Sequence, residues 1–127
     1  NGDKEIIDVM RFKDMTDADI ADGLIEWAAY NVKAATIEQV NATPQMGVVS
    51  AFKFGLKYGT MQGLLAGLKI PYSFVRPQLW QKTMGCMTKG DKNVSKSAAQ
   101  RLYPKQKITH ADADAILIAA YTVGVHK

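Results

Sequence analysis

Ala35-Thr36-Ile37-Glu38-Gln39-Val40 is a short run of largely β-branched residues lying between two long segments of helical periodicity. A strand set between helices calls for a sheet covered by helices, so the run places the chain in the α/β class. Its acid is the unusual element. A carboxylate between Ile37 and Val40 loses hydration if the strand is central, and several such groups gathered together repel one another unless a cation compensates. Hard divalent ions such as Mg2+ take oxygen ligands from a few carboxylates and orient phosphate oxygens and water. The competing reading of Glu38 is a solvated or ion-paired residue at a strand end.

Upstream of the run, Thr16 is an N-cap, with Asp17 and Asp19 in the first turn where the helix dipole favours anions. Ile20, Leu24, Trp27 and Ala28 then make one apolar stripe, which predicts a helix to about Val32. Further back, Lys4 to Lys13 alternates weakly and follows Asn1-Gly2-Asp3, a hairpin-type turn signal, which predicts another strand. Downstream, Ala42 to Gln45 is a loop, and Gly47 to Lys69 is the longest helical pattern. Gly55, Gly59, Gly63 and Gly67 recur along it at every fourth position. Each costs up to about 1 kcal/mol relative to Ala in a helix interior, so the line implies either tight packing on the sheet or a contact with another helix or subunit.

Pro71 to Val75 reads as a third strand and Pro77 to Lys82 as a short helix. Trp80 on that helix reads as core, with base stacking as its alternative. A loop over Gly85 to Lys92 leads into a basic helix over Val94 to Tyr103, with Asp91 or Asn93 near its start, and Pro104 stops it. The last helix, about residues 110–124, opens with His110-Ala111-Asp112-Ala113-Asp114 before an apolar segment.

The chain has 127 residues, 47% of them hydrophobic and 22% charged, which suits one globular domain with a core of its own. No apolar stretch reaches the roughly 18 residues of a membrane span and no signal-peptide pattern is present, so an intracellular, cytoplasmic setting is expected. Cys86 stands alone and reads as loop packing. Residues 1–38 hold nine acids and four bases, whereas residues 39–127 hold three acids and twelve bases. That asymmetry points to a polyanionic partner for the second part, with a solvated lysine face as the plain alternative.

Several segments in order carry a family resemblance. Thr36-Ile37-Glu38-Gln39-Val40, Ser50 to Gly55 with Tyr58-Gly59, Ile70-Pro71-Tyr72 leading to Arg76-Pro77-Gln78-Leu79-Trp80-Gln81-Lys82, and Ala113 to Ala119 together resemble a RuvC-type Holliday junction resolvase, phage-encoded members above all. The resemblance implies an RNase H-like mixed sheet flanked by helices. It also implies a homodimeric, Mg2+- or Mn2+-dependent crossover junction endodeoxyribonuclease, in a bacterial or phage-infected cell, that cuts branched DNA such as four-way junctions with two ions per site. Glu38 matches the family's fourth-strand Glu and Asp114 its last-helix Asp. Either His110 or Asp112 fills the further metal-proximal position. His110 and Asp114 are four apart and share a helix face, while Asp112 is equally readable as an N-cap. Lys92 resembles the family's loop lysine near the phosphate, and Lys82 lies close to another. Lys89, Lys96, Arg101, Lys105 and Lys107 are then expected on backbone phosphates.

The family's first-strand Asp is not among these residues. The resemblance therefore implies a domain that lacks the first two strands, with the Asp upstream of Asn1. A module that binds junctions without cutting, and an RNase H-like nuclease acting on RNA-DNA hybrids or flaps, are the alternatives.

Overall fold

A computed structural model describes residues 6, 8–12, 14–30, 32–88 and 90–124, which form five helices and a small two-stranded parallel sheet. The α/β class read from the 35–40 run therefore holds. The elements are α1 (Asp17–Ala28), β1 (Ala35–Glu38), α2 (Val48–Gly67), β2 (Tyr72–Val75), α3 (Pro77–Thr83), α4 (Lys92–Leu102) and α5 (His110–Thr122). Two compact units share them, one of Phe12–Phe74 and one of Asn1–Arg11 with Val75–Lys127.

In the Phe12–Phe74 unit, α1 starts where the sequence places it. Thr16 Oγ1 accepts the Asp19 N–H at 3.1 Å and the Asp19 carboxylate accepts the Thr16 N–H at 3.0 Å, so two orphan donors of the first turn are satisfied reciprocally. Ile20 and Leu24 of the expected stripe are buried. The helix stops at Ala28 rather than near Val32, because Ala29 and Tyr30 donate to Glu26 and Trp27 and tighten the last turn. α2 ends in a two-bond cap: Lys69 N–H donates to Ala66 and Ile70 N–H to Leu65. Buried Leu65 and Ile70 complete the cap, and Lys69 takes the left-handed conformation with φ +60°.

Two expectations need correction. Among the described residues of the 4–13 run, residues 6 and 8–12 form no strand; Asp8 accepts the Val9 N–H at 2.8 Å instead, so local bonding replaces a ladder. Lys4, Ile7, Lys13 and the turn at Asn1-Gly2-Asp3 lie outside the described residues. The glycine line of α2 is not packed on the sheet either. A Cβ at Gly55, Gly59, Gly63 or Gly67 meets no atom within 4 Å, and neighbouring Val48 and Phe52 are 87% and 67% exposed.

The second unit has the main core, in which Val75, Trp80, Met84, Cys86, Ile108 and Leu117 are among the buried members. Trp80 is fully buried, as a Trp on a short amphipathic helix favours. α3 and α4 both pack on α5, which explains why α5 is apolar on most sides beyond its first turn. No helix among the described residues is long and apolar enough to cross a membrane.

Candidate metal and phosphate site

α4 and α5 place their N-terminal turns in the same unit, and a pocket of about 90 Å3 lies between residues of α3, the 84–91 loop and these two helices. Gln81, Thr88, Asp91, Lys92, Ser95 and Asp114 line it together with Gly90. Lys92 and Asp114, assigned from separate stretches of sequence, therefore share one polar niche. Asp114 is half-buried, one turn into α5, whereas Lys92 is exposed at the first position of α4. Gly90 shapes the approach: its φ of +97° is a conformation that a side chain would strain. Asp91 rather than Asn93 caps α4, its Oδ1 accepting the Asn93 N–H at 3.0 Å.

The two rivals for the third position have other partners. Asp112 is 4% exposed, and its carboxylate accepts from both nitrogens of a fork on Arg11: Nε to Oδ1 at 2.9 Å and Nη2 to Oδ2 at 2.5 Å. Oδ2 also accepts from the Thr109 hydroxyl at 2.9 Å and the Thr109 N–H at 3.4 Å. Thr109 is the N-cap of α5, so Asp112 serves as the N3 carboxylate of the capping arrangement and not as the cap itself. Arg11 holds its carboxyl below the usual carboxylate range, chiefly through the hydrogen bonds; burial opposes this and Thr109 assists it. His110 is exposed, with Nε2 2.9 Å from Asn93 Oδ1, a contact that ties the first residue of α5 to α4. Neither His110 nor Asp112 is a lining residue of the 90 Å3 pocket.

Glu38 belongs to the other unit, half-buried at the end of β1, where its main-chain oxygen accepts the Tyr58 hydroxyl at 3.3 Å. Among the described residues no group of three His, Cys, Asp or Glu side chains is gathered as a metal set. Cys86 is buried beside Ser95, and burial pushes its thiol up, so it is a packing residue.

Of the cationic residues, Lys82 sits in the last turn of α3, Lys92, Lys96 and Arg101 on α4, and Lys105 and Lys107 between α4 and α5. Lys89 lies outside the described residues. Arg11 was not legible as a site residue, because its partner is 101 positions away and no spacing rule connects them. Gln81, Thr88 and Ser95 were missed for the opposite reason: uncharged side chains in a loop and on helix faces carry no pattern until the fold brings them to one place. The chain matches no protein-family model and no curated protein.

Proposed function

We propose that the chain is a nuclease domain of the RuvC type, with an RNase H-like arrangement, acting on branched DNA as a homodimer. The observation that supports this reading is the meeting of Asp114 and Lys92 in one polar pocket. Metal-assisted phosphodiester hydrolysis uses a carboxylate to hold a hard cation and a positive side chain to face the phosphate, and these two residues offer both within one niche.

The pocket's donors fit Mg2+. Asp114 and Asp91 offer carboxylate oxygens, Thr88 and Ser95 hydroxyls, and Gln81 a carboxamide oxygen, all hard ligands. Bound Mg2+ supplies an activated water and offsets charge on the phosphate. Asp114 is the residue that would hold the ion in this pocket; Glu38, which the resemblance matches to the fourth-strand carboxylate, is tested by substitution. Lys92 orients a phosphate oxygen through its ammonium group. Asp112 fits a metal poorly, because Arg11 already neutralises it, and His110 keeps only Nδ1 for any further contact.

Homodimer formation through α2 is part of the same reading. Its exposed face carries bulky Val48, Val49, Phe52 and Leu56 in the first half, and Gly59, Gly63 and Gly67 in the second. Two antiparallel copies therefore place the large residues of each over the glycines of the other, which is the self-complementarity a two-fold interface requires.

A labelled four-way junction in Mg2+ tests the function. Nicking that is abolished by a chelator, and reduced at least about 100-fold by Glu38→Gln or Asp114→Asn, is expected, since losing even an outer partner of a metal ligand costs about 10- to 100-fold. Junction-selective binding without nicking assigns the module that only binds. Preference for an RNA-DNA hybrid or a flap at equal salt assigns the other nuclease class, and binding to none of these rejects the proposal.

A further inference from the structure

Gln100 gathers a turn through a single group: one carboxamide nitrogen serves three main-chain carbonyls. Nε2 donates to Gln106 at 2.8 Å, Tyr103 at 3.1 Å and Pro104 at 3.5 Å. Three acceptors around one end of the amide also settle which end is nitrogen. The turn so gathered closes with the Gln106 N–H on the Tyr103 carbonyl at 3.1 Å. It is pinned on both sides by packing, with Tyr103 against the core and Ile108 in it. Lys105 lies inside the tethered turn and Lys107 one residue beyond; both are exposed.

Lys92, Lys96 and Gln100 are spaced by four on α4 and so lie along one face. Lys92 lines the pocket that contains Asp114, and the Gln100 amide reaches the turn at the other end of that face. Two cations one turn apart, Lys92 and Lys96, thus lead from the pocket along a helix of about 16 Å that ends at a turn whose carbonyls are held in place. A flexible loop would pay the ordering entropy of two lysines at the moment of binding; a tethered one has already paid it.

We propose that Gln100 is a positioning residue: its amide fixes the 103–106 turn so that Lys105 and Lys107 extend the Lys92–Lys96 row into one track for a phosphodiester strand leaving the pocket. The inference rests on the nucleic-acid reading above.

The test measures affinity of the whole chain for a four-way junction in Mg2+-free buffer across a salt series, beside the rate of trypsin cleavage after Lys105 and Lys107. Lys105→Ala with Lys107→Ala should lower the salt slope by about 1.8, at about 0.9 per duplex phosphate released. Gln100→Ala keeps every lysine yet should lose at least half of that slope and raise trypsin cleavage about tenfold. Gln100→Glu, an isostere that accepts but cannot donate, should behave the same way. Adding the lysine changes to Gln100→Ala should then cost less than they do alone. Junction binding with an unchanged slope in both Gln100 variants overturns the positioning role and leaves the nuclease reading standing. Lysine variants with an unchanged slope remove the track. Wild-type chain that binds no junction overturns both. Should the Gln100 variants fail to fold, the lysine pair still decides the track, and trypsin cleavage of the wild type decides the tether: a rate matching that of an exposed linker overturns it.

Discussion

Asp112 shows how a single residue's role is set by its partners. A carboxylate that is 4% exposed is costly to bury alone, and Arg11 and Thr109 together remove that cost with four hydrogen bonds. Because its folded-state pKa is depressed, the stabilisation is fully present above the ordinary carboxyl range near pH 4 and is lost as pH falls through the lowered value. Asp112→Asn should therefore melt below wild type at pH 7, and the two melting curves should converge in acid. Equal melting temperatures at neutral pH would show that the pair contributes nothing. Lys69 gives an opposite expectation: it occupies a left-handed position that glycine adopts without steric cost, so Lys69→Gly should stabilise the chain by about 0.5–1 kcal/mol, read from the denaturant midpoint.

The elements were largely legible. Thr16 and Pro77 mark helix starts by chemistry that acts within one turn, and both mark a start in the structure, while of the two residues offered for α4 it is Asp91 that caps it. Residues 8–12 misled because weak alternation is also what a locally bonded segment can show; a strand exists only if another strand pairs with it. α2 is the element whose environment the pattern left open. With no atom within 4 Å of a Cβ at Gly59 or Gly63, Gly59→Ala with Gly63→Ala should raise the stability of the dilute chain by about 1–2 kcal/mol through helix propensity alone. The same pair should weaken self-association in sedimentation if two copies meet at these glycines. A chain that stays monomeric at tens of micromolar, on the order of ordinary assay concentrations, would contradict the dimer.

At the scale of the whole molecule, the basic excess of residues 39–127 includes Lys92 at the pocket, Lys96 and Arg101 on the same helix, and Lys105 and Lys107 after it. Raising salt from about 50 to 200 mM should weaken junction binding by orders of magnitude if six or more phosphates are engaged. An affinity flat across that range would mean the lysines are a solvated face. On the proposed function, restoring Mg2+ after chelation should restore nicking while leaving that salt dependence in place, since the ion would then serve the reaction and the lysines the phosphate backbone.

What the sequence determined by itself were features that depend on near neighbours: helix starts, the buried Ile20 and Leu24 of α1, a strand within the 35–40 run, the core position of Trp80 and the basic character of the second part. Capping, periodicity and turn chemistry act over a few residues and so leave a readable local pattern. Tertiary structure alone decided that Asp114 and Lys92 share a pocket, that Arg11 claims Asp112, and that Gln100 gathers a turn. The first two join residues far apart in the chain, and the third needs the chain to turn back on its own helix. Such meetings depend on how packed elements bring distant atoms within hydrogen-bonding reach, which local spacing does not encode.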